Sequence, residues 1–106
     1  MKRNLEDKVV WITGAGSGIG QNAAVTLSKL GMKVILSGRN VKNLQETALK
    51  CKNSPIIKKL DIADKNQVKS VAHESKMEFM HIDILINCAG INIENRDWDN
   101  INENEW

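Results

Sequence analysis

Short apolar runs alternate with stretches of helical period along most of this chain. In Lys8 to Thr13 (KVVWIT) the apolar residues stand side by side instead of alternating with polar ones. At strand length, that pattern describes a strand covered on both faces. A glycine-rich turn follows. Ile19, Ala23, Leu27 and Leu30 then recur at helical spacing facing inward, with Gly31 as the stop. Lys33 to Ser37 (KVILS) predicts a second buried strand. Asn40 is placed to cap a second helix whose inward positions are Val41, Leu44, Ala48 and Cys51. Pro55 opens a third run, Ile56 to Leu60 (IIKKL), whose adjacent lysines suit a sheet edge. Asp64 and Gln67 have capping-box spacing ahead of a third helix, with Val68, Val71, Ala72, Ser75 and Phe79 inward. Ile82 to Asn87 (IDILIN) predicts a fourth strand. Residues 91–106 are polar, rich in Asn and weakly periodic.

The resulting βαβαβαβ order predicts an α/β fold, a doubly wound parallel sheet with helices on both faces. Right-handed crossovers give the strand order 3-2-1-4. That order sends the lysine-bearing run to an outer edge. It also opens a crevice beyond the C-terminal ends of strands 1 and 4, where sheets of this kind take ligands. The reading is one incomplete domain over residues 1–106, with its core in residues 8–90 and a polar tail in 91–106.

Composition changes this picture little. Of 106 residues, 42% are hydrophobic but only 4% aromatic, so aliphatic side chains must supply the core. The net charge of +2 is spread over interleaved basic and acidic residues. With no basic block, no nucleic-acid partner is expected. Met1-Lys2-Arg3 is followed by acidic Glu6 and Asp7 instead of the apolar stretch of a signal peptide. No apolar run is long enough to span a membrane, and a cytoplasmic location is the expectation. Cys51 and Cys88 fall on different elements and make no CxxC pair. A disulfide between them is possible; buried free thiols in a reducing cytoplasm are the expectation. His73 and His81 lack partners at metal-ligand spacing, and no metal is expected.

Candidate chemistry concentrates in the first βα turn, Thr13-Gly14-Ala15-Gly16-Ser17-Gly18-Ile19-Gly20. Glycines there permit a tight turn, close approach of backbone to a pyrophosphate, and close packing of helix on strand. The N–H groups at the helix start suit the pyrophosphate, and Ser17 can add a hydroxyl. No Gly-Lys-Ser/Thr follows, which argues against a P-loop. A glycine-rich turn without ligand is the plain alternative. The second strand ends Ser37-Gly38-Arg39-Asn40, with no acid to hold a ribose 2′-hydroxyl. Arg39 offers a guanidinium fork for a 2′-phosphate, which favours NADP over NAD. It can also stack on adenine, or simply stand in solvent.

With the turn reading TGAGSGIG, the chain resembles the short-chain dehydrogenases/reductases, whose fingerprint is TGxxxGxG. Leu60-Asp61-Ile62 is similar to the family's turn after strand 3, and Asn87-Cys88-Ala89-Gly90 to its NNAG motif. The resemblance runs from Lys8 to Gly90 and implies a Rossmann-type fold. It implies that Asp61 meets the adenine amino group and Ile62 packs near the ring. It further implies that Asn87, Ala89 and Gly90 line the cofactor ribose. Cys88 replaces the usual second Asn, and a thiol is a poor hydrogen-bond partner.

The resemblance also implies hydride transfer between nicotinamide and a small carbonyl or alcohol substrate, and assembly as a homo-oligomer. The family's Tyr-x-x-x-Lys motif has no counterpart here, for the 106 residues contain no tyrosine. No catalytic residue is therefore assigned. The chain reads as the N-terminal portion of an NADP-preferring oxidoreductase, inactive by itself. A non-catalytic dinucleotide-binding or sensing module and a truncated product without activity are the alternatives.

Overall fold

A computed structural model describes residues 5–88. Ala89, Gly90 and the polar stretch 91–106 lie outside the described residues. The elements are β1 (Val9–Thr13), α1 (Gly18–Lys29), β2 (Lys33–Ser37), α2 (Val41–Lys50), β3 (Ile56–Ile57), α3 (Lys65–Phe79) and β4 (Ile84–Asn87). The strands form one parallel sheet in the order β3-β2-β1-β4, as the alternation predicts.

β1 is buried along its whole length because both of its faces are covered. Successive strand residues point to opposite sides. Val10 and Ile12, with Val34 and Leu36 from β2, pack with Ala24 of α1 and Leu44 of α2. Val9, Trp11 and Ile35 point the other way, into a cluster with Leu60 and Val71 of α3. Each fully buried aliphatic side chain contributes about 1.5–3 kcal/mol, so β1 carries a large share of the core. The Trp11 indole keeps its polar atom satisfied by donating from Nε1 to Ser37 Oγ at 2.8 Å.

The helix ends follow local chemistry. After α1, Met32 N–H donates to the Leu27 carbonyl and Gly31 N–H to that of Ser28, which is the Schellman pattern of closure. Asn40 Oδ1 accepts from Asn43 N–H at 3.1 Å and starts α2. Asp64 Oδ1 accepts from the N–H groups of Asn66 and Gln67 and starts α3.

Four expectations need correction. Ile19 faces out, 79% exposed, because the inward row of α1 is Gly20, Ala24 and Ser28, with Ala23 and Leu27 beside it. The third strand is Ile56–Ile57 and does not run to Leu60. There Lys58 reaches across to α3 and pairs with Glu78 at 2.6 Å and Glu74 at 3.5 Å. Backbone bonds from Lys58 to Leu36 and from Leu60 to Gly38 still hold this stretch along β2. The fourth strand begins at Ile84, after Asp83 has clasped Val9 through two bonds. Val9 N–H donates to the Asp83 carboxylate, and Asp83 N–H to the Val9 carbonyl. Finally, Gln67 does not close a reciprocal capping box. Its Oε1 accepts from Asp61 N–H at 2.8 Å, tying the β3–α3 loop to the helix.

Candidate functional site

Beyond the C-terminal ends of the strands lies a cleft of about 600 Å³. Three loops and the residue after β4 wall it. The β1–α1 turn brings Gly14, Gly16, Ser17, Gly18 and Ile19; the β2–α2 loop brings Gly38, Arg39 and Asn40; the β3–α3 loop brings Asp61, Ile62 and Ala63; Cys88 stands on the fourth side. Just behind the cleft wall, residues 74 positions apart in the chain meet, because parallel strands put all their C-terminal ends on one side.

The turn is held open by close packing behind it. A β-carbon at Gly20 would fall on the Gly14 carbonyl oxygen, so only glycine lets α1 begin this near the turn. Gly18, at φ +56, has nothing within 4 Å of where its β-carbon would stand. Its side of the turn therefore faces open cleft. Ser17 makes no capping bond with its side chain, and the first turn of α1 carries no acidic residue. The first N–H groups of a helix have no partner within it. That end of α1 suits an anion in charge and in donors.

Arg39 and Asn40 are exposed at the mouth of the cleft. Asp61 is half-buried, and its Oδ1 accepts from Ala63 N–H at 3.0 Å, which fixes the carboxylate in a tight turn. Two sequence candidates lie behind the wall and not on it. Gly20 is buried under the turn, and Asn87 accepts a 2.7 Å hydrogen bond from Thr13 Oγ1, joining the ends of β4 and β1. Cys88 does line the cleft, and burial pushes its thiol above the usual range. At neutral pH it stays protonated. Among the described residues no cluster of His, Cys, Asp or Glu could hold a metal ion, and no helix is long and apolar enough to cross a membrane.

Sequence reasoning passed over Asn43 and Leu44, which reach the cleft from the first turn of α2, and over Thr47 behind them. The available signal was their spacing from Asn40: on a helix that Asn40 caps, positions three and four residues on share its side.

The model of the short chain dehydrogenase family matches residues 8–106. An uncharacterized oxidoreductase of Staphylococcus saprophyticus is 38% identical over 91 residues, covering 82% of this chain and 39% of that protein. Dehydrogenase/reductase SDR family member 7 of Homo sapiens is also 38% identical, covering 82% of this chain and 28% of that protein. Among solved structures, a 3-ketoacyl-(acyl-carrier-protein) reductase from Brucella melitensis, complexed with NADH, superposes with a TM-score of 0.77 at 30% identity. That match covers 96% of this chain and 42% of the reductase. A hydroxysteroid dehydrogenase from Escherichia coli superposes with a TM-score of 0.73 at 27% identity, covering 78% and 37%. The chain thus spans less than half the length of these relatives.

Proposed function

Because the chain belongs to the short-chain dehydrogenase/reductase family, whose members use NAD(P), we propose that its cleft holds NADP(H) in preference to NAD(H). The complete protein, on this reading, is an oxidoreductase acting on a small carbonyl or alcohol compound. When bound, the cofactor supplies or takes up the hydride. The chain's own residues bind and orient it. Gly14, Gly16, Ser17 and Gly18, with the start of α1, receive the diphosphate. Ile19 covers it with an apolar side chain, and Gly20 keeps helix and turn close. Arg39 and Asn40 take the 2′-phosphate. Asp61 and Ile62 hold the adenine. Asn87, tied to Thr13 behind the wall, supports the ribose side, which Ala89 and Gly90, outside the described residues, complete.

The observation that carries the preference is Arg39 on the same cleft as the glycine turn, with no acid at the end of β2. A charge-assisted bidentate contact is worth roughly 1.5–3 kcal/mol, about tenfold or more in affinity. Calorimetric titration with NADPH and NADH should therefore find NADPH at least about tenfold tighter, and Arg39→Ala should erase the gap. Equal affinities in the parent chain would sink the preference.

No residue of the 106 is assigned as proton donor, since none is a tyrosine. On this proposal residues 8–90 are the dinucleotide-binding core of an incomplete catalytic unit. The 106-residue chain alone binds cofactor without turnover. An NADPH absorbance assay with carbonyl substrates tests this, and reproducible turnover would require another donor. Homo-oligomerisation and a cytoplasmic location belong to the same reading. The two unpaired cysteines support the latter.

A further inference from the structure

Two peptide planes of the glycine turn are held by the residues packed around them. The Gly20 backbone packs so closely on the Gly14 carbonyl that no β-carbon would fit between them, and Ala15 N–H donates to the Ser37 carbonyl at 3.1 Å. That fixes the Gly14–Ala15 peptide. The next one is fixed by α2: Thr47 Oγ1 donates to the Ala15 carbonyl at 2.8 Å. Thr47 and Ala15 are both fully buried. The Thr47 hydroxyl is itself held, accepting from Gln21 Nε2 of α1 at 3.0 Å. Lys50 Nζ donates to the other end of the Gln21 amide at 3.3 Å.

The peptide bonds here are all trans. In a trans peptide the N–H points opposite to the carbonyl. A carbonyl of Ala15 drawn toward Thr47 therefore turns the N–H of Gly16 away from Thr47, and Gly16 lines the cleft. Without the hydroxyl, a buried carbonyl would lose its partner, and rotation of this peptide would recover it at the expense of the Gly16 donor.

We propose that Thr47 is a positioning residue for dinucleotide binding: it sets the Ala15–Gly16 peptide so that Gly16 N–H is presented to the diphosphate. This rests on the reading of the cleft as a dinucleotide site. It adds a residue of α2, outside the glycine motif, to the machinery of the turn.

The test compares two ligands that share the adenosine and its 2′-phosphate, of which only one carries a diphosphate: 2′-phospho-ADP-ribose and adenosine 2′-monophosphate. In calorimetry on the full chain, Thr47→Val should weaken the first about tenfold and leave the second within about twofold. Thr47→Ser keeps the hydroxyl and should restore parental binding. On the parent chain, the Gly16 amide resonance should move on adding 2′-phospho-ADP-ribose, which holds even if the valine variant fails to fold. Unchanged affinity in Thr47→Val, equal loss for both ligands, no rescue by serine, or a Gly16 resonance that ignores the ligand would each overturn the assignment. If the parent chain binds neither ligand, the reading of the cleft falls too, and that outcome is distinct from the others.

Discussion

A methyl group at Gly20 would meet the Gly14 carbonyl oxygen and come within 2.8 Å of its carbon, both of them backbone atoms that cannot swing aside. Gly20→Ala should therefore push α1 off the turn and cost about 1–3 kcal/mol, read as a lower midpoint in thermal melts. Gly18 is the opposite case. Its surroundings are open and only its φ of +56 resists a side chain, at about 1–2 kcal/mol. Gly18→Val should stay folded, as judged by circular dichroism, yet lose NADPH binding in calorimetry. Asp83 links sequence to stability differently. The hydrogen bond from Val9 N–H, aided by His81 and Lys8, holds its carboxyl below the usual carboxylate range against some desolvation. A carboxyl depressed in the folded state stabilises the fold above its unfolded value of about 3.9. That contribution disappears as pH falls through the lower folded value. Below about pH 4 the melting temperature of the parent should drop more steeply than that of Asp83→Asn; parallel curves would contradict it. At this scale the glycine roles were legible, because spacing alone implies a turn. Thr47 was not: a threonine between Leu44 and Ala48 is indistinguishable in sequence from any buried neighbour.

Among the helices, α3 shows best what a pattern can and cannot foretell. Its inward stripe is as spacing predicts, with Val71 and Ser75 buried and Val68, Ala72 and Phe79 packed beside them. The Asp64 cap was legible as well, since only a short polar side chain reaches two N–H groups at once. Replacing it in Asp64→Ala should cost about 1 kcal/mol in denaturant unfolding. Ser75 is the anomaly: its hydroxyl is buried and, among the described residues, has no hydrogen-bond partner. Ser75→Ala should raise stability by about 1 kcal/mol, since an unsatisfied buried hydroxyl carries a desolvation cost and no return. In α1 the apolar spacing points Ile19 inward, whereas the structure turns it outward. The deciding contact, Gly20 against Gly14, involves no side chain and leaves no hydrophobic mark. Strand ends were similarly blurred: ion pairs of Lys58 with α3 and the Asp83 clasp on Val9 are long-range events.

For the molecule as a whole, the strand order was legible because handedness leaves few ways to wind βαβ units. Among the described residues β4 is an outer strand, paired with β1 alone, and Leu85 on it is 44% exposed. An apolar outer strand recruits further strands. The 106-residue chain should therefore self-associate as concentration rises, and Leu85→Lys should shift it toward monomer in light scattering. A parent that stays monomeric throughout would contradict this. The central place of β1 also imposes an order of events on a growing polypeptide. β1 can pair with β2 once Lys33–Ser37 has been made, closing a loop of moderate length. Its other flank must wait for Ile84–Asn87. On the ribosome, the glycine turn and Arg39 thus come together well before the wall that β4 and Cys88 supply. A nascent chain carries a half-built cleft and a bare strand flank for the interval in which α2, β3 and α3 are synthesised.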